Sequence, residues 1–451
     1  MKGKKLSENI LFDNYMLAAL IIPLVAEQML AVLVGMADSI MVAEVGEEAV
    51  SGVSLVDTIM VLLNNAFSAL AAGGAVVAGQ LLGHGRRNEA QKAADQLVRV
   101  VTICAVITTT LIYIGRNWIL GELFGQIDRG VMRHAETYLL IVAASIPFVA
   151  LYNGGAAIFR IIGAAQAPMY VSLIMNVINI SGNAMFIYGF HRGTEGVAVP
   201  TLFSRIVGAL LIVILLQNKK RELHLNIFFK CVPDRVMICK ILSIGIPNGL
   251  ENGMFQLGKI IVLSLISTFG TYAIAANAVA NIIGSFQVLP GMAITLAVNT
   301  VIARCVGAGD YIQVRYFTGK LMKITYICLF IINLLIVLLL PFILEAYHLS
   351  DRTEQVASVI VVFYAFFTVM IWPAAFTVPA VLRAAGDARV CLAISVVSMW
   401  IFRIIFSYIL ARATDWGIYG VWVAMIIDWI VRSICFALRY FSGRWKQKAV
   451  V

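Results

Sequence analysis

Long apolar runs, each closed by a short polar segment, recur from one end of the chain to the other. A helix needs about 20 predominantly apolar residues to cross a bilayer. Twelve stretches come close to or exceed that length, near 14–42, 50–80, 97–115, 135–157, 168–190, 196–217, 237–268, 272–303, 321–344, 355–381, 390–411 and 417–438. The runs are continuously apolar and lack the alternation of barrel strands, so they predict helices. The expected fold class is an all-α polytopic membrane protein. The start, "MKGKKLSENILFDNYMLAALIIP", has a basic flank like that of a signal peptide, but its apolar stretch is long and no small-residue cleavage site follows. It reads as the first span.

The polar positions repeat with a period of half the chain. An offset of 224 carries Pro23 onto Pro247, Glu27 onto Glu251, Gly46 onto Gly270, Gly83-His84-Gly85 onto Gly307-Ala308-Gly309, and Gly196-Val197 onto Gly420-Val421. At an offset of 223, "RIIG" at Arg160–Gly163 meets "RAAG" at Arg383–Gly386. Such register implies a duplicated unit of six spans. Six is even, so the copies are expected to be related by an axis along the membrane normal, with a central cleft between two pseudo-symmetric lobes. The expected domains are a lobe at 1–217, a cytoplasmic linker at 218–236 rich in Lys and Arg, and a second lobe with a short tail at 237–451. Pro23 and Pro247 are expected to interrupt the first helix of each half, and are the candidate hinges.

Composition agrees with this picture. The chain is 61% hydrophobic and 13% charged, with a mean hydropathy of +0.92, outside the range of soluble domains. Its net charge of +10 raises nucleic-acid binding as an alternative, but most basic residues cluster in segments such as "GHGRRNEAQK" and "NKKRELHLNIFFKCVPDR" on the side holding both termini. That is the positive-inside pattern, and it predicts cytoplasmic termini and no nucleic-acid partner. The seven cysteines are scattered without metal spacing and read as free thiols. The five histidines lie in loops or at span ends, so neither a metal site nor a buried histidine relay is expected.

Ionisable residues inside a span cost about 2.5–3.5 kcal/mol on insertion scales and normally face a cavity or a partner. Five acids qualify: Glu27, Asp38, Asp57, Glu251 and Asp428. Glu27 and Asp38 are eleven residues apart, close to three helical turns, so they share one face at a separation of about 16 Å. Asp57 lies at a depth similar to that of Asp38, and two acids close together in a low-dielectric cleft can take up and release a proton. No basic residue lies three or four positions from Glu27, Asp38 or Glu251, so these are read as cavity or coupling acids, with Lys259 a possible partner for one of them. Asp428, with Arg432 at i+4 and Arg403 on the preceding span, reads as a structural ion pair. Asn176, Asn179, Asn183, Gln256, Asn277 and Asn281 can glue helices or line a wet cavity, and Phe255, Trp372 and Trp400 offer aromatic faces to a cationic compound.

The run "VGMADSIMVAEVGEEAVSGVSL" leading to "GQLLGHGRRNEAQKAA", with its echo "STFGTYAIAANAVA" leading to "ARCVGAGDYIQVR", resembles the multidrug and toxic compound extrusion (MATE) transporters over nearly the whole chain. The resemblance implies alternating access and export of amphipathic, often cationic compounds against entry of H+ or Na+. Asp38 falls on the family's first-helix coupling aspartate. Asn179 and Asn183 fall on the fifth-span Asn and Asp of one branch, so that Asp is absent; Phe255 falls on the seventh-span Glu of another, also absent. The tenth span has no acid between Glu354 and Asp387.

The expectation is therefore a secondary-active antiporter of the plasma (inner) membrane, monomeric, without cofactor or catalytic residues, that exports amphipathic, cationic compounds by alternating access. Glu27 and Glu251 are expected to bind the cationic substrate or the coupling ion, and the partners are amphipathic small molecules and the lipid bilayer. Asp38, Asp57, Asn179 and Asn183 form the expected ion-coupling set, with H+ favoured over Na+. Glu27, Glu251, Phe255, Gln256, Asn277 and Asn281 form the expected substrate cavity. The alternative is a flippase for a lipid-linked precursor, which calls for a basic cavity; Arg205, Lys259 and Arg403 are the residues that serve it. An enzyme is disfavoured, since the sequence offers neither a nucleophile elbow nor metal spacing, and a passive channel fits poorly with the duplication.

Overall fold

The computed structural model describes residues 10–123, 128–225, 233–414 and 416–450. Helices succeed one another along the described chain: α1 Asn14–Ala43, α2 Glu47–Gly83, α3 Arg87–Trp118, α4 Arg129–Ala143, α5 Ile146–Ile161, α6 Gln166–Ala184, α7 Glu195–Leu216, α8 Arg235–Ser267, α9 Thr271–Gly307, α10 Tyr311–Glu345, α11 Asp351–Trp372, α12 Val378–Ala384, α13 Ala388–Ser398, α14 Phe406–Ala413 and α15 Ile418–Phe441. Among the described residues ten continuous helical segments are long and apolar enough to cross a membrane, and α4 with α5, bent by 46° at a short break, adds an eleventh. α8, 33 residues long, falls outside that count because it carries Lys240, Glu251 and Lys259 and other polar residues among its apolar positions; its length exceeds the roughly 20 residues a span needs. Short π-helical stretches, Pro373–Thr377 and Met399–Ile405, join α11 to α12 and α13 to α14, so each of those pairs is one span.

Packing divides the chain into two compact units, Ala18–Gly249 and Leu250–Val451, the latter joined by the chain up to Leu17. The boundaries thus fall inside α1 and α8 rather than in the 218–236 segment, part of which lies outside the described residues. The reason is visible at each helix start. Phe12 packs edge-on against Phe317 with ring centroids 6.0 Å apart, and Leu11 N–H donates to Gln313 Oε1 at 3.0 Å. The beginning of α8 instead packs on α2, where a Cβ added to Gly73 would stand 2.5 Å from Gly245 N, so only glycine permits that approach.

Each unit is built around a long small-residue helix. In the first, α2 packs on α3, α4 and α5; in the second, α9 packs on α10, α11 and α12. The turns that lead into these two helices are duplicated down to backbone angles: Gly46 has φ 126 and Gly270 φ 101. Side-chain-bearing residues are strained in that region, which is why glycine recurs there at the 224 offset.

The prolines do not interrupt the first helix of each half. α1 runs unbroken through Pro23 and α8 through Pro247. Each proline removes a single ladder bond, to the carbonyl of Ala19 or Ser243, and the flanking bonds keep the helix continuous.

Candidate functional site

In the unit Ala18–Gly249, three of the expected coupling residues, Asp38, Asn179 and Asn183, form one hydrogen-bonded chain. Asn183 Nδ2 donates to Asp38 Oδ1 at 2.7 Å and also reaches Asn179 Oδ1 at 3.4 Å. Asn179 Nδ2 in turn donates to Thr201 Oγ1 at 3.0 Å. The spacing explains it: Asn179 and Asn183 are one turn apart on α6 and present both amides to the same face. Asn183 is fully buried, and its Oδ1 has no hydrogen-bond partner. A buried acceptor left open beside a carboxylate is costly unless a proton or a cation fills it part of the time.

Asp57 stands within electrostatic reach of Asp38, as does Arg205. Its Oδ1 accepts from Tyr138 Oη of α4 at 3.1 Å, while Arg205 Nη1 is held by Ser145 Oγ at 2.7 Å, at the α4–α5 bend. The sequence reading missed Tyr138, Thr201 and Ser145 because each lies on another span. Nothing in local spacing marks them.

Glu27 and Glu251 are not free cavity carboxylates. Arg160 Nη2 of α5 lies 2.7 Å from Glu27 Oε1, and Tyr152 Oη donates to the same oxygen at 3.2 Å. In the second unit, Arg383 Nη1 lies 3.0 Å from Glu251 Oε2 and Arg432 Nη2 lies 3.4 Å from Oε1. Ser395 Oγ also donates to Glu251 Oε1, at 2.7 Å. Both glutamates are buried, and burial of a charge in an apolar setting requires such partners. The signal was present in the sequence: the "RIIG" and "RAAG" arginines repeat at nearly the same offset as the glutamates they hold.

The expected Arg403–Asp428–Arg432 group is also rearranged. Arg432 turns from Asp428 to Glu251 and to Ser395 Oγ, which it meets at 2.6 Å, and Asp428 accepts from Ser398 Oγ at 2.5 Å. An i+4 neighbour shares a helix face, but the long arginine side chain finds a better-placed carboxylate across the helix interface.

Lys259 does not reach Glu251. It turns to a cavity of about 220 Å³ inside the second unit, whose walls include Lys259, Arg403, Asn277, Asn281, Trp422 and Met425. Phe255 lies beside it, its ring 5.1 Å from Lys259 Nζ and 5.1 Å from the Arg403 guanidinium. Asn281 Nδ2 donates to Asn277 O at 2.7 Å. Gln256, partly buried on α8, is not part of the cavity wall. Trp372 is buried and stacks on Phe376 with ring centroids 5.0 Å apart, a core contact. Cys104, Cys239, Cys305, Cys328, Cys391 and Cys435 are free thiols; Cys231 lies outside the described residues.

A family model described as MatE matches the chain twice, over residues 23–185 and 247–409. The two segments are of equal length and 224 apart, the offset of the polar repeat. The chain is 27% identical over 444 residues to the uncharacterized transporter YisQ of Bacillus subtilis, covering 97% of this chain and 96% of that one. It is 24% identical over 467 residues to a probable multidrug resistance protein NorM of Thermotoga maritima, covering 98% and 97%. Among solved structures, an outward-facing multidrug resistance MATE family transporter of the MOP superfamily superimposes with a TM-score of 0.88 at 20% identity, over 96% of each chain.

Proposed function

The chain belongs to the MatE family of multidrug transporters, and from that premise we propose that it is a secondary-active antiporter exporting amphipathic compounds in exchange for H+, bound at Asp38. The observation that carries the reading is the open Asn183 Oδ1 beside the Asp38 carboxylate. A proton on Asp38 gives that acceptor a donor, and its departure leaves a carboxylate held by the Asn183 amide. Na+ is the less favoured ion: hard cations gather several oxygens, and here a single carboxylate is held against the amides, since Asp57 is engaged by Tyr138. The reading includes a plasma-membrane location, cytoplasmic termini, supported by the distribution of basic residues, and a monomeric protein.

A cationic substrate was expected from Glu27 and Glu251 as cavity acids. That support is gone, because arginines neutralise both carboxylates. The test of the antiporter is dye efflux from reconstituted vesicles with pH and sodium gradients imposed separately. Efflux driven by the pH gradient alone supports the proposal; efflux indifferent to both gradients contradicts it.

One observation favours a second reading, a flippase for a lipid-linked precursor: Lys259 and Arg403 give the second unit's cavity a basic wall. Vesicles in which the protein moves a labelled lipid and no dye would replace the antiporter with the flippase.

A further inference from the structure

Charges inside the spans are unevenly divided. The unit Ala18–Gly249 sets Glu27, Asp38 and Asp57 against Arg160, Arg205 and, near the start of α8, Lys240, whereas the unit from Leu250 sets Glu251 and Asp428 against Lys259, Arg383, Arg403 and Arg432. Arg383 and Arg432 are taken up by Glu251. Lys259 and Arg403 are left over. Asp428 is near enough to act on Arg403 through space, but among the described residues neither cation has a carboxylate within ion-pair distance.

Both leftover cations line the same cavity, and none of its lining residues is acidic. Phe255 braces them through its ring, a contact weaker than an ion pair. Arg403 is 9% exposed, and its Nε has no hydrogen-bond partner. Arg403, buried in an apolar setting, pays for desolvation and is repelled by the neighbouring Lys259 unless an anion joins them. Asn277 and Asn281 add uncharged polar groups, and the rest of the wall is apolar or aromatic, with Val262, Ile266, Trp422 and Met425. A basic end and a greasy wall in one cavity match an amphipathic anion.

We propose that this cavity is a binding subsite for the anionic end of an amphipathic organic anion, a sulfonate, carboxylate or phosphate ester on an apolar body. Lys259 Nζ and the Arg403 guanidinium hold the anion, and Trp422 and its apolar neighbours hold the adjoining body. At about 220 Å³ the cavity is smaller than the ~300–1,000 Å³ usual for a whole drug-sized ligand, so it takes the charged end and the first ring or chain segment. The proposal rests on the transporter reading and narrows its substrate class.

The test compares two probes with one apolar body and opposite charge, naphthalene-2-sulfonate and 2-naphthyltrimethylammonium. Their binding is measured by calorimetry to the full chain in phosphatidylcholine nanodiscs. The sulfonate is expected to bind saturably and the ammonium not. Lys259→Gln should weaken the sulfonate about tenfold, the scale of one charge-assisted hydrogen bond, and Lys259→Arg should restore it. Arg403→Gln should do the same where it folds; Lys259, being exposed, keeps the test independent of that outcome. Preference for the ammonium, or unchanged sulfonate binding in Lys259→Gln, would overturn the proposal. Dihexanoyl phosphatidate as competitor separates the sources: displacement of the sulfonate assigns the subsite to a lipid phosphate, and no displacement to a soluble anion. Saturable sulfonate binding without gradient-driven efflux of any dye removes the antiporter and keeps the subsite. Gradient-driven efflux without sulfonate binding does the reverse.

Discussion

Arg160 Nη2 lies 2.7 Å from Glu27 Oε1, and one repeat later Arg383 Nη1 lies 3.0 Å from Glu251 Oε2. Acid and base were thus duplicated together, which fits a role internal to each half rather than a pair of free carboxylates. The copies have diverged at the edge. The second half adds Arg432 where the first has Gly208 at the 224 offset, and the first half adds Tyr152.

Breaking such a pair from one side leaves a buried charge unmatched, at a cost of about 3–5 kcal/mol. Glu27→Gln should therefore lower the melting temperature of the solubilised protein markedly. Glu27→Gln combined with Arg160→Gln should recover part of the loss, since no unpaired charge remains. A double variant as unstable as the sum of its singles would argue that the pair is not the determinant.

Asn183 touches Asp38, whereas Asn179 acts one bond further away. Asn183→Ala should then reduce gradient-driven efflux by about tenfold, the scale of one hydrogen bond to a charged group, and Asn179→Ala by less. Initial efflux rates in vesicles of matched protein content give the order; the reverse order would remove the amide chain from the coupling site.

Pro23 and Pro247 each leave one helix carbonyl without its ladder partner while the helix continues. If transport bends α1 and α8 there, Pro247→Ala, by restoring a bond, should raise thermal stability and slow efflux together. Slower efflux without greater stability would point to a misfolded variant instead, and unchanged efflux would end the hinge assignment.

The spans, the duplication and the turn glycines were legible because each is a local signal: run length, register, or a backbone angle that favours glycine. Asp38 and the Asn179–Asn183 pair were legible for the same reason, as polar residues on apolar faces. Partners across helices were not. Arg160 is 133 positions from Glu27 and Arg383 is 132 from Glu251, so a search at three or four residues along one helix finds nothing, although the repeated offset held the clue. The segregation of leftover cations was hidden in the same way, since Lys259 and Arg403 meet only when α8 packs beside the stretch joining α13 to α14.

The central claim is that Asp38 couples an ion gradient to export. Its most direct test is pH-gradient-driven dye efflux from vesicles carrying wild-type protein or Asp38→Asn, with melting temperature and insertion measured on the same preparations. The account predicts that Asp38→Asn inserts and melts much as wild type does and loses gradient-driven efflux. Full efflux by a well-folded Asp38→Asn protein would contradict it.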